Sequence, residues 1–159
     1  MRYDKESVRR QRFLLEEKEA FDILQEGEYG VLSMQSETDG AYGVPLSYAW
    51  DGESSIYLHG ALEGRKLRCI EKNENVSFCI VSYSKVRSSQ FTTDYKSVIL
   101  ECKATIIDDG DEKQKGFHLL VDKYSPEMKM KAENMIQKGG VKTKVIRLDI
   151  LTWTGKSKL

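Results

Sequence analysis

Two hydrophobic periods alternate along this chain. From Leu14 to Gln25 the apolar residues Leu14, Ala20, Phe21 and Leu24 fall at helical spacings, and Gly27 is placed to end the helix. The period then drops to two. Tyr29 to Gln35 reads as a strand, Thr38-Asp39-Gly40 as a hairpin turn, and Ala41 to Trp50 as a second strand. Asp51-Gly52-Glu53-Ser54 is another turn, followed by the strand Ser55 to Gly60, with Ile56 and Leu58 on one face and Tyr57 and His59 on the other. Arg65 to Asn73 returns to a helical pattern that buries Leu67 and Ile70, and Asn75 to Tyr83 alternates again through Val76, Phe78 and Ile80.

Ser84 to Asp94 is polar and aperiodic, which predicts a loop. Tyr95 to Ile107 is the longest predicted strand, long enough to need a bend or bulge. Asp109 or Asp111 caps a helix through Tyr124 with Phe117, Leu120, Val121 and Tyr124 as its stripe. Pro126 opens a helix rich in Lys and Met that Gly139-Gly140 ends. Thr143 to Ile150 is the last strand, Val145, Arg147 and Asp149 opposing Ile146, Leu148 and Ile150, and a tail with Trp153, Gly155 and Lys156 follows. Residues 1–12 are charged and carry no apolar stripe, so they are expected as a flexible or partner-contacting arm.

Six or so strands joined mostly by hairpins, with helices at early, middle and late positions, predict an α+β protein. A strand-helix-strand unit occurs only once, which argues against a doubly wound sheet. A small antiparallel barrel suits the pattern, because closure removes edge strands that too few helices could cover. At 159 residues the chain fits one domain, residues 1–159, burying about 70% of its unfolded surface.

Lys+Arg and Asp+Glu both number 25, so the long-range pull towards nucleic acid or anionic lipid is weak and neither is expected as a partner. The apolar runs are too short to span a bilayer, and charges run through the first residues where a signal peptide needs an apolar centre. The reading is cytoplasmic. Cys69, Cys79 and Cys102 form neither a CxxC pair nor a disulfide framework, and Cys79 and Cys102, inside apolar strand-like runs, are expected to pack as small buried hydrophobes. HExxH, CxxC and carboxylate-cluster motifs are absent from the sequence, so no metal is expected.

Candidate chemistry concentrates between Gly43 and Leu67. In the strand Ala41 to Trp50 one face is Gly43, Pro45, Ser47 and Ala49, small side chains that let a flat ligand approach the backbone or that mark a solvated edge strand. A glycine-bearing loop then brings Arg65 and Lys66 into the first turn of a helix, where free N–H groups and the macrodipole favour a phosphate. His59 stands just before Gly60 and this basic turn; it is either a structural member of its strand or a group for proton transfer or anion binding. His118 reads as structural, and Met128, Met130 and Met135 as packing or a lid surface.

The segments EYGVLSMQ, YGVPLSYAW, IYLHGALEGRKL, NVSFCIV, FTTDYKSVILECKA, FHLLVDKYSP and VIRLDILTWTGK together resemble the pyridoxamine 5′-phosphate oxidase-like split β-barrels, in particular the nitroimidazole-resistance branch. The resemblance runs from Glu28 to Lys156, and GVPLSY with HGALEGRKL is its most specific part. It implies a homodimer with a flavin, FMN or alternatively FAD, at the subunit interface, and an oxidoreductase acting on a small-molecule substrate. It leaves open a non-catalytic flavin or electron-transfer protein, or a haem-binding split barrel. Carried over by position, it implies that Arg65 and Lys66, with Gly60 and Gly64 beside them, take the flavin phosphate. Val44, Pro45, Leu46, Ser47 and Tyr48 would run along the isoalloxazine ring, His59 would lie near it as the catalytic candidate, and Thr92 and Thr93 would face the flavin from the same or the partner subunit.

Overall fold

A computed structural model describes residues 1–137 and 142–159. In chain order the elements are β1 (Arg2–Tyr3), α1 (Glu17–Glu26), β2 (Gly30–Gln35), β3 (Ala41–Leu46), β4 (Ala49–Trp50), β5 (Ser55–Gly60), α2 (Arg65–Lys72), β6 (Asn75–Arg87), β7 (Thr92–Ile107), α3 (Gly110–Tyr124), α4 (Lys129–Gln137) and β8 (Lys144–Lys158). The predicted helix stop at Gly139-Gly140 lies outside the described residues.

The strands form one sheet in the order β3-β2-β6-β7-β8-β5-β4, antiparallel at every pairing, with β1 added parallel to β8. Its two terminal strands, β3 and β4, are consecutive in the chain and separated only by Ser47 and Tyr48. The polypeptide therefore bridges the ends of its own sheet, which curls into a barrel with an open seam: a split β-barrel. Inside it Leu32, Phe78, Ile80, Leu100, Leu148 and Trp153 are buried, each contributing roughly 1.5–3 kcal/mol if fully withdrawn from water. α1 plugs one end with Ala20 and Leu24, its start fixed by a reciprocal capping box between Glu16 and Glu19.

The expected single strand Ala41 to Trp50 is two strands. The alternation is continuous, but the pairing partner changes: Leu46 lies opposite Gly30 of β2, whereas Ala49 lies opposite Tyr57 of β5. Ala49 consequently leaves the small-residue face and is buried, while Gly43, Pro45 and Ser47 stay exposed. Between the two strands Tyr48 is fully buried; its hydroxyl donates to the Leu24 carbonyl at 2.7 Å and its N–H to the Tyr124 hydroxyl at 3.0 Å.

The expected loop Ser84 to Asp94 is instead the far end of a β6–β7 ribbon, turned by Ser88–Gln90 and by Phe91 in left-handed backbone (φ 49°). Its residues are mostly polar because both faces of the ribbon tip meet solvent, Asp94 at its base being buried and paired with Arg87, and inter-strand pairing satisfies the backbone without an apolar stripe. β8 likewise continues past Ile150 to Lys158, with a register shift opposite Glu101/Cys102. The expected arm, residues 1–12, lies on the barrel: Arg2 and Tyr3 pair with Thr152 and Trp153, Tyr3 donates to the Leu15 carbonyl, and Val8 is buried. Cys102 is buried as expected, burial pushing its thiol up to about 12, and Cys69 is buried as well; Cys79, also expected to be buried, is only half-buried because it lies on the outer sheet face.

α3 packs across the outside of β5. Tyr57, expected on a face opposite the core, is buried beneath it, with Glu112 accepting from the Tyr57 hydroxyl at 3.3 Å and forming an ion pair with Arg147. β5 is thus covered on both faces from Ser55 to Leu58, and His59 at its end is exposed.

Candidate functional site

α2 begins at Arg65 because Gly64 turns the chain with φ 149° and ψ 170°, a region essentially restricted to glycine. The first N–H groups after that turn cannot find intrahelical acceptors. Arg65 folds back over β3, its guanidinium 4.2 Å from the centre of the Tyr42 ring and one Nη donating to the Ser36 hydroxyl at 3.2 Å. Arg68 and Lys72, further along the same helix, are held by Glu37 through its carboxylate and its carbonyl respectively. Lys66 has neither an acidic partner nor a hydrogen bond among the described residues. Its side chain lies along β5 against Gly60, where a Cβ would stand 2.5 Å from Lys66 Nζ and push the end of the lysine side chain aside.

His59, one residue earlier, points to the face of β5 that α3 covers, two positions beyond Tyr57. It has no hydrogen-bond partner among the described residues, and partial burial, then the Lys66 charge, lowers its pKa from the usual imidazole range. Extending the Ala49–Tyr57 register by two residues sets Ser47 opposite His59. Both line a cavity of about 460 Å³, whose other walls are Phe117, Leu120 and Tyr124 of α3 and Ile136 of α4.

One continuous edge therefore carries Ser47, His59, Gly60, Gly64, Arg65 and Lys66. The other residues named from sequence lie elsewhere. Val44 and Leu46 turn half-buried side chains into the core, leaving only their backbone towards a ligand, and Tyr48 is a buried structural group. Pro45 is on the outer face of the sheet. Thr92 and Thr93 pair with Arg87 and Val86 at the ribbon end of β6, whereas Ser36, the Arg65 partner, follows β2 at the Asn75 end. β6 is 13 residues long, roughly 40 Å of strand at about 3.3 Å per residue, so one chain does not bring these threonines to Lys66.

Sequence reasoning did not assign Phe117, Leu120 and Tyr124 to a cavity, because a helical apolar stripe reads as core. Lys123 was missed as well. Its ammonium stands 3.8 Å from the centre of the Tyr48 ring and donates to the Gly27 carbonyl at 2.7 Å, and burial lowers its pKa to about 8. Among the described residues no group of three or more His, Cys, Asp or Glu side chains is placed to hold a metal, and no helix is long and apolar enough to cross a membrane.

The seam and the β6–β7 ribbon define a split-barrel fold. Residues 16–157 match the sequence profile of the pyridoxamine 5′-phosphate oxidase family, and the chain belongs to that family. A search of curated proteins found no significant match. Among solved structures, the chain is similar to a candidate 5-nitroimidazole antibiotic resistance protein of Bacteroides thetaiotaomicron, with 17% identity over 91% of this chain and 85% of the other and a TM-score of 0.72. It is similar to an FAD-binding protein of Mesorhizobium loti at 19% identity, over 91% and 96% of the two chains, with a TM-score of 0.67. A flavocytochrome of Azotobacter vinelandii shares 17% identity over 98% of this chain and 73% of its own, with a TM-score of 0.77.

Proposed function

We propose that this protein is an FMN-dependent oxidoreductase whose flavin phosphate is held at the start of α2. The observation that carries the reading is Lys66: a cation without a partner among the described residues, at a helix start, against a glycine and beside an unbonded histidine. That donor set fits a phosphate monoester. Lys66 supplies a point charge, the N–H groups following Gly64 supply directed donors, and the guanidinium N–H groups of Arg65 not engaged by Ser36 supply more. FMN, when bound, supplies the electron transfer; the protein binds, orients and excludes water. His59 is the group positioned to hold or deliver a proton, and Ser47 a hydroxyl to orient the ring or substrate. Family membership and the flavin-binding relatives support this assignment, and nitro-compound reduction is one acceptor chemistry it accommodates.

We also propose a homodimer. Pro45, Val31, Cys79 and Ile99 stand in register across four strands on the outside of the sheet, and Val31 and Ile99 are exposed there beside Val81 and Tyr83. An apolar row of this kind continues the small-residue face of β3 and suits a second copy, which would bring its own Thr92 and Thr93 ribbon towards the seam. Light scattering of the FMN-loaded protein at micromolar concentration checks this, and a monomer there contradicts it.

The test of the flavin site is the double variant Arg65→Ala/Lys66→Ala. It should weaken FMN far more than riboflavin, because the loss falls on phosphate contacts worth roughly 1.5–3 kcal/mol each. Equal losses for both flavins would place the anchor elsewhere. Absorbance of the purified protein separates flavin bands from a Soret band.

A further inference from the structure

The cavity beside His59 has a one-sided chemistry. Phe117, Leu120 and Val121 of α3 and Ala132, Met135 and Ile136 of α4 make its outer wall apolar, and the hydroxyl residues Ser125 and Thr143 also line it. Its barrel side presents Ser47 and His59 at the seam, with the Tyr124 hydroxyl engaged by the Tyr48 backbone. The roof is one unit: α4 is tied to α3 by His118–Glu133 at 3.0 Å and Lys129–Asp122 at 2.8 Å, and α3 is tied to the barrel through Glu112–Arg147 and Tyr124–Tyr48. A space of about 460 Å³ is within the size range of small-molecule sites, and an apolar lining with few convergent polar groups is their usual character. None of Gly60, Gly64, Arg65 or Lys66 lines it; it meets the proposed phosphate anchor only through His59.

We propose that this α3–α4 chamber is a separate substrate site, taking a small, largely apolar ring compound with one hydrogen-bond-accepting group directed at His59 and Ser47. The apolar body replaces water against Phe117, Leu120 and Ile136, where burial of carbon surface supplies the affinity. The accepting group meets His59, whose ring has no hydrogen-bond partner among the described residues, and the Ser47 hydroxyl beside that of Tyr124, so a compound with its polar group at the opposite end would leave it desolvated against Met135 and Ile136. Met135 on α4 gives this roof a flexible side chain that re-packs around different ring shapes. The role as a substrate site rests on the flavin reading above; the binding itself does not.

The experiment measures binding of 1,4-naphthoquinone by equilibrium dialysis, to the flavin-free and the FMN-loaded protein, with FMN affinity measured in parallel. Ala132→Trp fills the chamber from its roof and should weaken the quinone by about tenfold or more while FMN affinity stays within about twofold. Phe117→Ala enlarges the chamber and should shift preference towards the tricyclic 9,10-phenanthrenequinone, which keeps the test alive if the tryptophan variant does not fold. Quinone binding that is indifferent to both variants overturns the proposal, as does no binding at millimolar probe. So does an equal loss of FMN and quinone in Ala132→Trp, which would give the chamber to the flavin ring. Blockable quinone binding in a protein that takes no FMN sustains the chamber and removes only the flavin reading.

Discussion

Tyr124 holds both backbone polar atoms of Tyr48: its hydroxyl accepts the Tyr48 N–H at 3.0 Å and lies 2.9 Å from the Tyr48 carbonyl. This is the seam of the barrel, where β3 has left β2 and β4 has not yet met β5, so neither sheet neighbour can satisfy that peptide. A side chain from the last turn of α3 does so instead. Tyr124→Phe should lower stability by about 1–3 kcal/mol, the cost of leaving a partly buried donor without its partner. Urea denaturation measures it, and a change below about 0.5 kcal/mol would mean that water replaces the phenol.

Lys123, the preceding residue, should give the protein an alkaline rise in stability. Burial disfavours its charged form, lowering the folded-state value to about 8 against about 10.4 in an unfolded chain. Below pH 8 both states hold the proton and the penalty is full. Between pH 8 and 10 the unfolded chain binds more protons, so stability increases with pH by up to about 1.4 kcal/mol per unit. The stability difference between wild type and Lys123→Met, followed from pH 7 to 10, should therefore move in favour of wild type, and a flat difference would show the lysine to be solvated.

Gly64→Ala isolates backbone strain from crowding. No atom lies within 4 Å of the place its Cβ would take, so the cost comes from the backbone at φ 149° alone and is of order 1–3 kcal/mol. If the turn relaxes, the N–H groups after it move, and FMN should weaken with little change for riboflavin. A variant as stable as wild type and with unchanged FMN affinity would separate this turn from the phosphate site.

Much of this was legible in the sequence where a local rule decides the outcome. Gly64 followed by two basic residues fixed the start of α2, and period-two alternation found β2, β5, β6 and β7 with the core faces of Val76, Phe78 and Ile80. What local pattern does not carry is a change of partner. Ala41 to Trp50 alternates without interruption, yet its two halves pair at opposite ends of the sheet, a fact held in Gly30 and Tyr57 rather than in the strand itself. The ribbon tip failed for the converse reason: Lys85 to Thr92 pairs through its backbone while both faces are wet, so the side chains carry no period. The cavity was invisible because Phe117 and Leu120 are apolar at helical spacing whether they meet a core or a void.

His59 and Lys66 are coupled electrostatically, and that coupling reports on the phosphate site without any turnover. Partial burial and the Lys66 charge both disfavour the imidazolium, so the folded-state pKa lies below the ordinary value near 6.5. As pH falls from 6.5 through that lowered value the unfolded chain takes up the proton first, and stability falls; above 6.5 the histidine is neutral in both states and the penalty is absent. In an NMR titration the His59 midpoint should sit below 6.5 and rise in Lys66→Ala. FMN should raise it too, since a phosphate dianion offsets the lysine charge, whereas riboflavin should not. Turnover then decides what the imidazole does. If His59 delivers a proton, His59→Ala leaves FMN affinity nearly unchanged and lowers the rate per bound flavin by about 10² to 10⁴. If it is a structural member of β5, the melting temperature or FMN occupancy falls and the normalised rate holds at every pH from 5 to 8. A midpoint indifferent to Lys66→Ala would uncouple the two residues and leave the phosphate reading without its electrostatic witness.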